Sequence, residues 1–232
     1  VPPHHVDSET HILESLEEET MSLNRMTVAV AMLAAVGALL TAGLAPAQDL
    51  HPSRRPSPMG LARTHVGDAY IHVVYSRPYE RGRDNIFGTQ DSGALVPWGV
   101  RWRLGANESV ELAVNKDVMF AGKRLPAGIY SVFATPGEKE WTFHVNSALG
   151  LFGAGFARNP ESGQLEDVYD PENNVVEVTV PVHTIPKAAE GEDDSKVDQF
   201  TISFEKPKEG EGTEMVLRWI YTEVRVPIQE AE

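Results

Sequence analysis

The stretch SVELAVNKDVMFAGKRLPAGIYSVFATPGEKEWTFHVN (109–146) decides the fold class. Ser109–Val114 alternates polar and apolar residues, as a strand with one buried face must. Asp117–Phe120 and Lys123–Leu125 flank Ala121-Gly122, the signature of a hairpin turn. Pro126-Ala127-Gly128 turns the chain into a strand at Ile129–Thr135, and Pro136-Gly137-Glu138 turns it again into Trp141–Asn146.

Working outward, Ala69–Ser76 (AYIHVVYS) is β-branched and aromatic. In Val175–Val182, alternation places Val176, Val178, Val180 and Val182 on one face and Glu177 and Thr179 on the other. Phe200–Glu205 and Met215–Val226 complete the set. Short strands joined by Gly/Pro turns, with hardly any helical period, predict an all-β domain. The expected form is an antiparallel β-sandwich, with jelly-roll and immunoglobulin-like topologies equally compatible.

The 232 residues carry a net charge of -14 and no cysteine. Absence of cysteine excludes disulfides, thiolate nucleophiles and zinc–thiolate sites. The first 47 residues hold six acids and one base, which leaves -9 on the remainder. Such a balance is a poor match for nucleic acid, whose binding needs clustered Lys and Arg.

Residues 27–44, TVAVAMLAAVGALLTAGL, are uncharged, follow Arg25 and precede Ala45-Pro46-Ala47. A basic flank, an apolar run and an A-x-A site make a secretory signal peptide over 21–47, a helix cleaved near Ala47-Gln48. A retained membrane anchor is the alternative, since the run is long enough to span. Residues 1–20 are acidic where a signal is basic or neutral, and are expected to be an upstream extension from a misplaced start. Residues 48–64, rich in Pro, Ser and Arg, read as an irregular lead-in to one domain at 65–232. The glycine-rich segment Asn146–Pro160 reads as a packed Ω-loop or as a mobile lid.

SRPYERGRDNIFG (76–88), LVPWGVRWRLGANES (95–109) and LPAGIYSVFATPGEKEWTFHVN (125–146) share an order and spacing, with a weaker match at FTISFE (200–205) and LRWIYTEVRVPI (217–228). Together they resemble the bacterial domain-of-unknown-function family 2911. The most specific elements are Trp102-Arg103-x-Gly105-Ala106-Asn107-Glu108, Ser76-Arg77-Pro78 and Gly82-Arg83. The chain departs at Trp98, where the family leads one to expect Tyr, and in a longer insert at Thr89–Ala94. The resemblance implies an exported β-domain and supplies no reaction.

Read as chemistry, a strand at 100–104 would put Val100, Trp102 and Leu104 on one face and Arg101 and Arg103 on the other. Gly105 would then break the strand, with Asn107 at the turn. Two readings of this corner stand side by side. In the first, Arg103 or Arg83 pairs with Glu108 and staples the corner while Trp102 packs in the core. In the second, Arg77, Arg83 and Arg103 line a pocket for an anionic or sugar ligand that Glu108 orients, with Trp98, Trp102 and Asn107 as further ligand contacts. Trp98, between Pro97 and Gly99, is expected in a turn and partly exposed.

His65, His72, His144 and His183 are scattered, without a ligand-pair spacing, so no metal or cofactor is expected. No G-x-S-x-G elbow is present, and no catalytic residue is assigned. The expected function is an exported, periplasmic or secreted, non-catalytic binding or envelope-associated domain. Its partner would be a small molecule, a glycan or an envelope protein, with membrane contact only through an uncleaved signal segment. The alternative is a hydrolase-like enzyme using Glu108 with Arg77, Arg83 and Arg103.

Overall fold

The computed structural model describes residues 54–189, 195–207, 210 and 212–231. The readings of 1–20 and 21–47 lie outside the described residues.

Among the described residues fifteen strands follow in chain order: β1 (Met59–Val66), β2 (Ala69–Ser76), β3 (Phe87–Gly88), β4 (Val96–Pro97), β5 (Val110–Val114), β6 (Val118–Phe120), β7 (Lys123–Leu125) and β8 (Gly128–Pro136) come first. They are followed by β9 (Glu140–Asn146), β10 (Phe156–Arg158), β11 (Leu165–Asp167), β12 (Asn174–Thr184), β13 (Val197–Phe204), β14 (Thr213–Ile220) and β15 (Thr222–Glu230). Among the described residues helical structure is confined to 3-10 turns such as Gln90–Ser92 and Pro171–Asn173. Among the described residues no helix is long and apolar enough to cross a membrane.

The sandwich is antiparallel. One sheet runs β1-β2-β5-β8-β9-β12, and the other runs β12-β15-β14-β13. β12 belongs to both: Asn174–Pro181 pairs with β9, and Val182–Thr184 pairs with β15. A strand that changes sheets makes a corner of this kind. Between β5 and β8 the β6–β7 hairpin leaves the first sheet and pairs with the end of β15 in the second. Its turn at Ala121-Gly122 has positive φ at both residues, as a tight hairpin requires.

The alternation legible in β12 is the observed one: Val176, Val178 and Val180 are buried, and Glu177 and Thr179 are exposed. Two expectations need correction. Of the lead-in expected over 48–64, the described residues 54–58 lie in no strand, and from Met59 the chain forms β1, paired along its length with β2. Ala62, Thr64 and Val66 are its buried face, a pattern the Pro/Ser/Arg-rich residues before it obscure. The run Met215–Val226 is two strands, turned at Ile220, whose φ is 55°.

Aromatic rings fill the interior. Trp102 stacks on Trp219 with centroids 6.1 Å apart and meets Trp141 edge-on at 5.7 Å. Phe87 and Phe200 pack on the same group, each touching Trp102 and Trp219 edge-on. Without cysteine, burial of this cluster is the main non-covalent glue.

β1 and β13 end their sheets, and side chains lace the gap between them. The Tyr75 hydroxyl donates to the Ile202 carbonyl at 3.0 Å and accepts from the Ile202 amide at 2.8 Å. It thereby satisfies an edge of β13 that would otherwise be unpaired at that residue. Arg77 donates to the Phe200 carbonyl and to Thr201 Oγ1. Gly60 makes room for both: a Cβ there would lie 2.6 Å from Arg77 Cδ and 2.9 Å from Tyr75 Cε1.

Candidate functional site: an arginine-lined pocket

Residues 100–104 do not form a continuous strand. The segment carries a single bridge, between Trp102 and Ala134, with bends at Val100 and Leu104. Val100 is exposed, whereas Trp102 and Leu104 are buried. The chain then turns sharply, as Gly105 and Asn107 foretell: φ is 56° at Leu104, 144° at Gly105 and 58° at Asn107. A Cβ on Gly105 would stand 2.3 Å from the Ser76 carbonyl oxygen, so only glycine fits this approach.

The corner is stapled, but not by an arginine–glutamate pair. Asn107 Nδ2 donates to Ser76 Oγ at 3.0 Å and to the Ser57 carbonyl, and Trp102 Nε1 donates to the Gly105 carbonyl. Glu108 is bound instead by Arg55, a partner from the supposed lead-in. Burial pushes the Glu108 carboxyl upward. The Arg55 hydrogen bond, its own backbone N–H and the Arg55 charge outweigh that, and the net shift is downward.

On the other side of the corner lies a cavity of about 360 Å³. Arg81, Arg83, Arg101 and Arg103 line it, with Leu95, Val96, Pro97 and Val100 as an apolar wall and the indoles of Trp102 and Trp219 behind. No acid is among its lining residues. Arg101 is fully engaged: Nε donates to the Ala154 carbonyl, Nη2 contacts both oxygens of Asp167, and the guanidinium lies 3.8 Å over the Tyr169 ring. Arg81 donates to the Pro56 carbonyl, and Arg83 Nη2 to the Tyr79 carbonyl.

Arg83 Nε and Arg103 Nε are different. Both are buried and have no hydrogen-bond partner among the described residues. Arg103 donates to no described protein group at all, and burial pulls its guanidinium below the ordinary arginine range. Gly153, at a φ of 61°, lies beside Arg103 Nη1. A buried donor without an acceptor costs stability, so the sequence retains an expense that a bound acceptor would remove.

The glycine-rich loop that closes one side of this cavity is packed. The Gly153 amide donates to the Asn107 carbonyl, and Ser109 Oγ contacts the carbonyls of Leu151 and Gly153. Of its apolar residues only Leu151 is buried; Leu149 and Phe152 are exposed.

Of the residues expected from sequence to contact a ligand, the fold brings Arg83, Trp102 and Arg103 together. Arg77 points into the seam with β13, Asn107 into the corner, and Glu108 into a separate cleft with Arg55, Met59 and Glu111. Trp98 is half-buried in its turn, as expected, but is not among the residues lining the cavity. The hydrolase arrangement, Glu108 beside three arginines, is therefore not what the fold assembles. Sequence reading missed Arg81 and Arg101. The signal for Arg81 was its place between Glu80 and the Gly82-Arg83 element. Arg101 sits on the predicted polar side of the 100–104 segment.

A second polar cluster lies outside this cavity. Thr135 Oγ1 is 2.9 Å from His144 Nε2, and His144 Nδ1 is 3.0 Å from Glu177 Oε2. The order resembles a nucleophile–base–acid relay. The register explains it as a cross-strand ladder on β8, β9 and β12, since Glu177 stands directly opposite His144. Tyr169 packs edge-on over the imidazole. Among the described residues no three His, Asp or Glu side chains are grouped to hold a metal ion.

Fold and site together define an antiparallel β-sandwich with a cationic pocket at one corner. The family described as "Protein of unknown function (DUF2911)" matches residues 57–228, and the chain belongs to it. No curated protein and no solved structure matches the chain.

Proposed function

We propose that this protein is a binding domain whose arginine-lined pocket holds a small anionic ligand, without chemistry at that site. The observation behind this reading is the pair of buried, unpartnered nitrogens, Arg83 Nε and Arg103 Nε, in one cavity. The cavity size falls in the range of small-molecule sites, roughly 300–1,000 Å³. An anion supplies the missing acceptors and offsets the desolvated charge. A neutral glycan fits less well, because sugar hydroxyls need donors and acceptors together and no acid lines the cavity.

Thermal shift in sodium phosphate, sulfate and acetate at matched ionic strength tests the reading. A rise in Tm over chloride that disappears in Arg103→Met supports it; equal Tm in all four salts overturns it. We further propose that the domain is exported, on the strength of residues 21–47. Peptide mapping of protein from the native envelope fraction should give a mature N-terminus at Gln48, and an intact 21–47 segment would favour the anchor.

A further inference from the structure

We infer that the ligand is an organic phosphate monoester, with its head on Arg83 and Arg103 and its carbon body against the wall formed by Leu95, Val96, Pro97 and Val100. This rests on the anion-pocket reading above and goes further in two respects, the charge of the head and the need for a body.

The charge comes from the side-chain inventory. Four guanidiniums line the cavity, no carboxylate is among its lining residues, and Asp167 outside it is taken up by Arg101. Arg103 Nε–H and Arg83 Nε–H are both buried without an acceptor among the described residues. A carboxylate or sulfate ester brings a single negative charge. A phosphate monoester brings close to two at neutral pH and three acceptor oxygens, which suits this surplus of donors and charge. The chain as a whole is strongly acidic, at -14, so the pocket is a local inversion of the protein's field rather than part of a general basic surface.

The body follows from the opposite wall. Leu95 and Val100 are exposed, at 47% and 40%, although large aliphatic side chains gain by burial. Both face the cavity that holds the arginines. A bare inorganic ion would leave them uncovered, whereas an ester would cover them with its alkyl or aryl group. Trp102 and Trp219 close the back of the site and are held rigid by the aromatic cluster, so the cavity is preformed.

Calorimetric titration of the full chain with phenyl phosphate, phenyl sulfate, inorganic phosphate and phenol separates these components. Phenyl phosphate should bind at least about tenfold more tightly than phenyl sulfate, which keeps the ring and loses one charge. It should exceed inorganic phosphate, which lacks the ring, by a similar factor, and phenol should give no heat. Arg103→Met should abolish binding and Arg83→Gln should weaken it about tenfold, while Arg63→Gln, on the exposed face of β1, should leave it unchanged. Equal affinity for phenyl phosphate and either phenyl sulfate or inorganic phosphate overturns this ligand class and leaves the anion pocket standing. Failure of every anion to bind overturns the pocket reading as well. Binding that survives both arginine substitutions places the ligand elsewhere and overturns the proposal. Far-UV circular dichroism checks each variant, and if Arg103→Met does not fold, the Arg83→Gln result decides.

Discussion

Arg77 crosses the seam between the sheets and finds two acceptors on β13, the Phe200 carbonyl and Thr201 Oγ1. Arg103 leaves its segment on the far side of the same corner and finds none. Both belong to the most distinctive polar elements of the sequence, and both read there as ligand contacts. The difference teaches how to tell a building arginine from a binding one. A guanidinium whose acceptors are supplied by the fold is part of the fold; one with a buried nitrogen left without an acceptor is the observation on which the proposed anion site rests. Gly60, which opens the path for Arg77, shows that this placement is built into its surroundings.

The largest effect should come from the corner that joins the two regions. Gly105→Ala would force a Cβ to within 2.3 Å of the Ser76 carbonyl at a φ of 144°. A loss on the order of 3 kcal/mol is expected in urea unfolding. A near-neutral result would mean that the corner yields easily and does not fix Arg77 and Arg103 on opposite sides. Next comes the seam. Tyr75→Phe strips the Ile202 amide and carbonyl of their buried partner, at a cost of about 1–3 kcal/mol in the same experiment.

The two arginines should then differ in sign. Arg77→Met removes hydrogen bonds the fold depends on and should lower stability by about 1 kcal/mol. Arg103→Met replaces an unpartnered, desolvated charge with an apolar chain of similar length. In chloride buffer it should raise stability by on the order of 1 kcal/mol, while removing the stabilisation by phosphate. If both substitutions destabilise equally, and phosphate protects both variants, the distinction between them collapses.

The sequence made the strands legible wherever period-two alternation ran between Gly/Pro turns, so β2, β7 and most of β8, β9 and β12 lie where local pattern places them. β1 was hidden because Gly60 and Thr64 interrupt its apolar face and prolines precede it. The importance of Gly60 is visible only once Tyr75 and Arg77 are seen passing over it. At the site, residue types were legible and partners were not. Glu108 was expected to pair with Arg103 or Arg83, neighbours in motif space, yet it pairs with Arg55, 53 positions away. Side-chain direction at a left-handed corner cannot be deduced from alternation, because Leu104, Gly105 and Asn107 all leave the extended region.

Glu108 gives the smallest effect and the cleanest separation of the two regions. Its folded pKa lies below its ordinary value of 4.5, with burial opposing the shift and Arg55 driving it. A carboxyl depressed on folding adds stability above its unfolded pKa, and that increment is lost as pH falls through the folded pKa. The side chain is 54% exposed, so solvent screening limits the pair to less than about 1 kcal/mol. The stability gap between the native chain and Glu108→Gln should therefore be small at neutral pH and close as the solution is acidified below about pH 4.5. Phosphate affinity in Glu108→Gln should match the native value, because Glu108 lines a different cleft from Arg83 and Arg103. A change of several-fold would join Glu108 to the arginine pocket after all and restore the arrangement in which an acid works beside the cations.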